Sequence, residues 1–546
     1  MMKKILLLLL LVCSVLHGKS VAAPLPHVTV TAKPSLAKGS CLRQGPYLGE
    51  FRCTNHTNQL LFIEISCSRR YFRSGTGNYR VRKKVMLPPG RTSDVSFFFP
   101  NSVKDYSVVK FDVTAAPGVR VKFTKGELEG YTSETLTLAS PSFRPDYFEY
   151  LFKQYRKAPM PVAQWPTDSR AYSPFSLVVL DSADLIPPAV NTALRLAAAR
   201  GTRVLVLVRG DAPWPHYAGI EVKGKVFEEK IGFGSWVIIR TQAVDSNPKW
   251  KEFVRKKHAL SGSYKSGSYK EYNALRWQEK ELHHYLNAFS APQSHYISNV
   301  DIPPPPIPLL FFTLLLFAFV IIIGPVNYFV LKSKNKELWC LVTIPVLSLL
   351  FTGAVIIGVM VKEGFDSKGK GRVETYLDQQ SGLAAARGTF SVYSPVSVGT
   401  FRFNADDLLY FRNPGTVRGE NTDVQSFSSA LLPSRMSICY GIGRSGFISE
   451  KIAVTEQNGS VEVVNGLGVG IKTLYLADSK GALFKLASPL EAGARVALVS
   501  IPKLPAKVGA VAPGNYRAEL AAPFFIKPGV EIDQYEHQQT LYGRWR

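Results

Sequence analysis

The chain has 546 residues, which is too many for one hydrophobic core and enough for roughly three or four domains. Hydrophobic residues make up 46% and charged residues 20%, so the composition excludes global disorder, and a mean hydropathy of +0.02 excludes a chain mostly embedded in a membrane. The formal net charge of +25 belongs mainly to the first half, because residues 24–305 carry 39 basic and 23 acidic residues, whereas residues 363–546 carry 20 and 17.

Residues 1–22 have the pattern of a secretory signal peptide. Lys3 and Lys4 precede an apolar run, and the segment ends with small residues at Ser20-Val21-Ala22. Cleavage after Ala22 would leave the mature chain outside the cytoplasm. Disulfide bonds persist in that compartment, and nucleic acid is not an expected partner there.

Residues 26–140 alternate apolar and polar side chains in the manner of half-buried β-strands. Examples are the segments Leu60–Ile65 and Val108–Val113, and turn residues such as Pro88-Pro89-Gly90 separate such segments. Several short strands at this spacing predict an N-terminal β-sandwich.

Three cysteines fall within this exported segment. Cys41, Cys53 and Cys67 lie within 27 residues of one another, so one disulfide bond is expected. A bond between Cys41 and Cys53 would close a hairpin-like loop, and a bond between Cys53 and Cys67 fits nearly as well, so both pairings stay open. The sequence has no CxxC or histidine spacing typical of a metal site, and neither a metal nor a cofactor is expected.

Seven cations occur within 16 residues of the same region, with no acidic residue among them. Such a cluster could face anionic phospholipid headgroups, an acidic envelope polymer or an acidic protein partner, or it could be a solvated surface. A second basic segment, residues 249–280, includes three acidic residues and is interpreted as a solvated surface. The candidate contact residues of the first cluster are Arg69, Arg70, Arg73, Arg80, Arg82, Lys83 and Lys84.

Residues 141–300 show a different pattern, with buried strands and a helix. A continuous apolar strand, Phe175–Leu180, ends in Asp181 and is followed by a helical stretch, Pro188–Arg200. A second buried strand, Val204–Val208, completes a βαβ unit. The pattern predicts an α/β domain with a parallel sheet.

Two apolar stretches, residues 309–331 and 338–361, each exceed the roughly 20 residues that a helix needs to cross a bilayer. The loop between them, residues 332–337, carries three lysines, which the positive-inside rule assigns to the cytoplasm. Together with the signal peptide, this predicts a two-pass protein of the cell inner membrane with both large regions in the periplasm. Residues 301–308 are rich in proline and are predicted to form a stiff stalk.

Residues 363–546 again contain short strand-like segments. Val373–Tyr376 and Thr473–Leu476 are examples, and turn residues such as Asn458-Gly459 lie between many of them. This pattern predicts a C-terminal all-β domain. The fold class expected for the whole chain is therefore a multidomain α+β membrane protein.

The most specific motif lies at the end of the first apolar stretch. It consists of Gly324-Pro325-Val326-Asn327-Tyr328, followed by Lys336-Glu337-Leu338-Trp339 and Thr343-Ile344-Pro345. With the strand Val178–Asp181, these residues resemble a bacterial inner-membrane family that has an exported domain like the class I glutamine amidotransferases. The resemblance covers most of residues 60–400.

The resemblance implies an architecture more than an activity. It implies a two-helix membrane hairpin built around Gly324, Pro325, Asn327 and Tyr328, and an amidotransferase-like domain of flavodoxin-like fold over residues 141–300.

Amidotransferases of this class act through a cysteine nucleophile, and this chain has no cysteine between Ser68 and Trp339, so no catalytic residue is expected. Asp181 and Asp184 follow a buried strand. We interpret them as caps of the next helix.

These observations predict a non-enzymatic, membrane-anchored periplasmic scaffold or accessory subunit of an envelope complex. Its expected partners are the membrane and an envelope protein. An auxiliary subunit of an envelope transport system is one alternative. A hydrolase that acts on envelope polymer through Asp181 and Asp184 is another.

Overall fold

The computed structural model of the chain is mostly β and contains two helices long and apolar enough to cross a membrane. Of the expected multidomain α+β membrane protein, the strand-rich regions and the two candidate membrane-spanning helices are confirmed. The predicted signal peptide (1–22), the stalk (301–308) and the second basic segment (249–280) lie outside the described residues. The structure describes residues 27–33, 47–71, 78–99, 101–102, 107–124, 136–143, 155–158, 160–181, 183–208, 226–240, 309–363, 366–396, 398–412, 417–421, 424–428, 431–457, 459–506 and 508–546.

The described residues of the N-terminal region form eight strands, seven of which belong to two facing sheets. These strands are β1 (Val28–Ala32), β2 (Tyr47–Asn55), β3 (Leu61–Tyr71), β4 (Asn78–Leu87), β5 (Thr92–Phe99), β6 (Asn101–Ser102), β7 (Ser107–Ala115) and β8 (Val121–Thr124). One sheet has the order β5-β2-β1-β8, and β3, β4 and β7 belong to the other. Alternate residues such as Val28 and Val30 are fully buried, and they pack with Ile63 and Ile65 of the facing sheet.

Residues 136–240 contain a largely parallel sheet. Its elements are β9 (Leu136–Ala139), β10 (Tyr155–Lys157), β11 (Phe175–Asp181), α1 (Pro188–Arg200), β12 (Arg203–Val208), β13 (Val226–Ile231) and β14 (Gly234–Arg240). The strand order is β10-β9-β11-β12-β14-β13, and all neighbours are parallel except β13 and β14. Every residue of β11 is buried, as expected for a strand covered on both faces. Gly201, at φ 125°, ends α1.

Two long apolar helices follow. The first consists of α2 (Leu309–Ile321), a π-helical turn (Ile322–Val326) and α3 (Asn327–Ser333), and the second is α4 (Cys340–Glu363). The π-helical turn contains Pro325, which has no amide hydrogen to donate to the preceding turn. Asn327 Nδ2 donates to Thr343 Oγ1 at 2.9 Å, and the rings of Phe319 and Phe351 stack with their centroids 4.1 Å apart. The two helices therefore contact each other as a hairpin.

The region after the hairpin contains the remaining strands. These are β15 (Lys368–Asp378), β16 (Leu383–Ser394), β17 (Phe401–Asn404), β18 (Leu408–Arg412), β19 (Val417–Asn421), β20 (Val424–Phe427), β21 (Met436–Phe447), β22 (Lys451–Gln457), β23 (Ser460–Gly466), β24 (Ile471–Ala477), β25 (Leu483–Lys485), β26 (Arg495–Ala497), β27 (Val499–Ile501), β28 (Asn515–Leu520) and β29 (Gln534–Arg544). The largest sheet has the order β27-β25-β24-β28-β29-β15-β16-β21-β18-β6, and a small sheet has the order β22-β23-β26.

Strands from before and after the hairpin pair directly with each other. β4 pairs in parallel with β19, with Tyr79 opposite Val417, in a sheet of order β17-β20-β19-β4-β3-β7. β6 likewise pairs with β18. One hydrophobic core accordingly contains Ile65 together with Phe390 and Tyr440. The sequence predicts separate domains in these two regions, whereas the structure joins their strands in shared sheets.

The parallel sheet packs against the same body through α1. Leu383 and Ala385 of β16 belong to the hydrophobic core that surrounds Leu194 of α1. Ser445 Oγ of β21 donates to the carbonyl oxygen of Leu196 at 2.9 Å. Helix α1 therefore lies between the parallel sheet and the largest sheet.

Largely buried charged residues join the parallel-sheet region to the region after the hairpin. Asp168 and Arg170, which precede β11, form an ion pair at 2.5 Å, and Arg170 also donates to the carbonyl oxygen of Ala405. Burial acts to raise the pKa of Asp168, but the hydrogen bonds from Arg170 outweigh it and the pKa is lowered. Two residues beyond Ala405, Asp407 accepts from Arg444 at 2.7 and 2.9 Å.

Candidate functional site

The strand that follows the second long helix identifies the end of the folded body nearest the two apolar helices. Helix α4 ends at Glu363, and β15 begins at Lys368, five residues later. Five residues of fully extended chain span at most about 18 Å, so the start of β15 lies close to the end of the helix. Helix α4 is about 36 Å long at 1.5 Å per residue, which exceeds the roughly 30 Å hydrocarbon core of a bilayer. Because the two helices are candidates for spanning a membrane, we call this end of the body the membrane-facing end.

Strand directions place the start of β4 at the membrane-facing end. Lys368 pairs with Tyr393 near the end of β16, and Ser394 pairs with Met436 at the start of β21. Strand β18 is antiparallel to β21 and therefore ends at the same end of the body, five residues before β19 begins. Because β19 is parallel to β4, β4 also begins at this end, beside the end of β3.

The predicted cationic cluster thus lies on β3 and β4, but its side chains divide between two faces. Because side chains alternate along a strand, the outer face of β4 carries Arg80, Arg82 and Lys84. Arg80 and Lys84 are exposed, and Arg82 Nη1 lies 3.7 Å from Glu64 Oε1. Lys83 is on the other face, and its ammonium group donates to a backbone carbonyl of β5 at 2.9 Å. Arg69 and Arg70 lie near the end of β3, and Arg73 lies outside the described residues.

A groove of about 610 Å³ lies beside the start of β15. Gly369 of β15 pairs with Tyr535 of β29, and Tyr535 lines the groove, so the groove is at the membrane-facing end. Ile532 also lines it. Three exposed charged residues complete this part of the lining: Arg402, Lys527 and Glu531.

Two glycines of β15 make room for the walls of the groove. A Cβ atom on Gly369 would lie 2.9 Å from Ile532 Cγ2 and 3.1 Å from Tyr535 Cδ2, and one on Gly371 would lie 3.0 Å from Tyr535 Cζ and overlap its hydroxyl. Real Cβ contacts are longer, so these side chains lie against β15 only because glycine is present. Burial raises the pKa of Tyr535, so its hydroxyl stays protonated and can donate a hydrogen bond.

No pattern in the sequence predicted this groove. Its lining residues come from segments more than a hundred residues apart, and no local motif contains them. The available signal was Lys368-Gly369-Lys370-Gly371, because glycine at alternate positions of a strand marks a face that another group approaches closely.

The carboxyl end of the parallel sheet holds the two aspartates that the sequence singled out. Ser142 donates to Asp184 Oδ1, Asp181 Oδ1 accepts from the amide of Ala183 at 2.9 Å, and Asp184 Oδ2 accepts from the amide of Asp181 at 3.2 Å. Pro187 is the N-cap of α1, without a side-chain hydrogen bond. The interpretation that these aspartates cap the helix is therefore wrong, because they close the turn that precedes it.

The cysteines of the N-terminal region lie in the core between the two facing sheets. Cys53 and Cys67 are fully buried, and Cys41 lies outside the described residues. Cys53, which both predicted pairings require, is a free thiol in the structure. Burial raises the pKa of Cys53 to about 11, so this thiol is protonated and unreactive at neutral pH.

Comparisons with known proteins find few similarities. No family model and no curated protein matches the chain. A solved structure of the yeast delta-COP-I mu-homology domain matches with a TM-score of 0.21 and 9% identity, and the match covers 33% of this chain and 95% of that domain. The complex of that domain with the Dsl1 WxWxV peptide matches with a TM-score of 0.19 and 10% identity, over 32% of this chain and 95% of the domain. A cycloisomaltooligosaccharide glucanotransferase from Paenibacillus sp., complexed with cycloisomaltoheptaose, has a TM-score of 0.18 and 9% identity, over 43% of this chain and 37% of its own. Likeness at such TM-scores identifies neither fold nor function.

Proposed function

We propose that this chain is a two-pass inner-membrane protein whose exported body is a non-enzymatic scaffold or accessory subunit of an envelope complex. The pairing of β4 with β19 carries this proposal. Hydrogen-bonded strands cannot lie on opposite sides of a bilayer, so the regions before and after the hairpin belong to one side. A body built from both regions and held by two helices is suited to present binding surfaces close to the membrane.

The connection between the two helices supports a periplasmic body. Lys332, Lys334 and Lys336 lie in or beside this connection, and lysine-rich short loops remain in the cytoplasm. Lys332 Nζ lies 5.6 Å from the ring centre of Tyr328, and Lys336 Nζ lies 6.0 Å from that of Trp339. Aromatic rings at helix ends are typical of the membrane interface. With the loop inside, both helices lead outward to the folded body.

The parallel sheet supports the absence of enzymatic activity. Its order β10-β9-β11-β12-β14 corresponds to the flavodoxin-like order 2-1-3-4-5, which is the order expected of an amidotransferase-like domain. A cysteine nucleophile is missing, since the sequence has no cysteine between Ser68 and Trp339. Carboxylate oxygens of Asp181 and Asp184 accept hydrogen bonds from the local turn, so the described geometry does not favour a hydrolase.

The proposed topology can be tested by labelling single cysteines in intact cells with a membrane-impermeant maleimide. Arg91 is exposed before the hairpin and Lys451 is exposed after it. The new cysteines of Arg91→Cys and Lys451→Cys should both react with the maleimide without permeabilisation. Lys334→Cys should react only after the inner membrane is permeabilised. The unmodified chain is the control for its native cysteines. Opposite accessibility of positions 91 and 451 would contradict the shared sheets, and labelling of position 334 in intact cells would contradict the orientation.

The scaffold role can be tested on the outer face of β4. We expect the triple variant Arg80→Gln, Arg82→Gln, Lys84→Gln to lose most of an acidic protein partner that co-purifies with the full chain from cross-linked membranes. A loss of several fold is expected because each neutralised rim charge contributes up to about 1 kcal/mol to association. Lys83 is left unchanged because its ammonium group is bonded inside the sandwich.

The matched control replaces three exposed lysines of the C-terminal region. Lys472, Lys480 and Lys485 carry the same total charge, and their replacement with glutamine should leave the partner bound. Quantitative mass spectrometry of the purified membranes measures both variants together. An equal loss of partner in the two variants would show a general charge effect and would reject the cationic face as the contact surface.

A further inference from the structure

The groove beside β15 has the position and the charges of a lipid headgroup site. It lies beside Gly369, which is the second residue of a strand that begins five residues after helix α4. The groove is therefore close to the level at which phospholipid headgroups surround the helix. This step rests on the proposed membrane anchoring of α4.

The charged residues of the groove are of both signs. Arg402 and Lys527 are exposed cations, and neither forms an ion pair with a carboxylate in the described part of the chain. Glu531 is an exposed carboxylate in the same lining. Guanidinium and ammonium groups bind phosphate oxygens, and a carboxylate binds an ammonium group. The matching ligand therefore carries a phosphate and an ammonium group a short distance apart.

Tyr535 and Ile532 provide the remaining contacts. The Tyr535 hydroxyl is protonated and can donate to a phosphate oxygen. Ile532 and the Tyr535 ring give the groove an apolar wall on which a glycerol backbone can pack. Because Gly369 and Gly371 have no Cβ atom, the side chains of Ile532 and Tyr535 can pack against β15.

We propose that this groove binds the phosphoethanolamine headgroup of a membrane phospholipid. Arg402, Lys527 and Tyr535 contact the phosphate, and Glu531 accepts hydrogen bonds from the ammonium group. An anionic headgroup such as phosphoglycerol satisfies the cations but leaves Glu531 facing a hydroxyl, and phosphocholine offers Glu531 no N–H donor. The site therefore selects among lipids, and it holds the membrane-facing end of the body against the bilayer surface.

The test is photo-cross-linking from the groove in the full-length protein. The chain is reconstituted in nanodiscs that contain equal parts of phosphatidylethanolamine and phosphatidylglycerol in phosphatidylcholine, with benzoylphenylalanine in place of Thr400, an exposed lining residue. Mass spectrometry of the cross-linked products is expected to show an excess of phosphatidylethanolamine of at least about threefold, the ratio that one exposed ion pair provides. The same probe in place of Met86, which is exposed near the far end of β4, should capture no lipid.

Two variants separate the roles of the charges. Glu531→Gln should bring the yields of the two lipids to near equality, and the double variant Arg402→Gln, Lys527→Gln should lower both by several fold. Equal yields in the unmodified groove, cross-links to protein alone, or yields that the double variant leaves unchanged would each overturn the proposal. Free glycerophosphoethanolamine should compete with the lipid and lower the cross-linking yield. If inorganic phosphate lowered the yield and glycerophosphoethanolamine did not, the proposal would also be overturned. The anchoring itself is read separately from the labelling of positions 334 and 451.

Discussion

Replacement of Asp407 with alanine is expected to destabilise the folded body by about 3–5 kcal/mol, because it leaves a buried guanidinium without its counter-ion. The Asp407 side chain is 2% exposed and that of Arg444 is 17% exposed, and two hydrogen bonds of 2.7 and 2.9 Å join them. Arg444 also donates to the carbonyl oxygen of Phe525 at 2.5 Å. Burial raises the pKa of Asp407, and the bonds from Arg444 oppose this rise. The free energy of unfolding is measured by pulse proteolysis of the detergent-solubilised chain in urea.

An exposed pair of the same chemistry provides the control. Arg495 and Glu462 form a two-bond ion pair in which the side chains are 66% and 34% exposed. Solvent can replace the lost partner there, so Glu462→Ala should change stability little. The double variant Asp407→Ala, Arg444→Met should recover part of the loss, because an apolar pair leaves no buried charge. Equal effects of Asp407→Ala and Glu462→Ala would show that burial of the first pair has no energetic consequence.

Replacement of Gly232 with alanine is expected to destabilise the parallel sheet by about 3 kcal/mol or more, from the sum of a left-handed backbone and a steric overlap. Gly232 has φ +60°, and a Cβ atom there would overlap the carbonyl oxygen of Ala199 and lie 2.8 Å from its Cα. Ala199 is in the last turn of α1, so the turn between β13 and β14 would have to move away from the helix. Hydrogen exchange of α1 and β14 measures this loss directly.

Gly459 separates the two causes. It has φ +79°, but a Cβ atom there would meet no atom within 4 Å. Gly459→Ala should therefore cost only the left-handed backbone, about 1 kcal/mol, and its effect should be confined to the hairpin of β22 and β23. If both variants lost the same stability, the close approach of Gly232 to α1 would have no role.

Only part of each candidate site could be predicted from the sequence. The cationic cluster is contiguous, so its residues could be found by counting charges, but the count could not tell that Lys83 is turned away from Arg80 and Arg82. That division comes from the alternation of β4 once one of its faces is buried. The lining of the groove could not be predicted from the sequence, because Arg402, Lys527 and Tyr535 converge only through the pairing of β15 with β29 and the packing of β17.

Features that depend on local pattern could be predicted from the sequence alone. Two apolar stretches of membrane length, the βαβ unit around Phe175–Val208 and the short alternating strands follow from hydrophobic periodicity, and periodicity acts over ten to twenty residues. The pairing of β4 with β19 and of β6 with β18 is seen only in the fold, since the partners lie more than 300 residues apart and strand pairing depends on backbone hydrogen bonds that any sequence can form. The shared sheets and the groove beside β15 therefore could not be read from local sequence pattern.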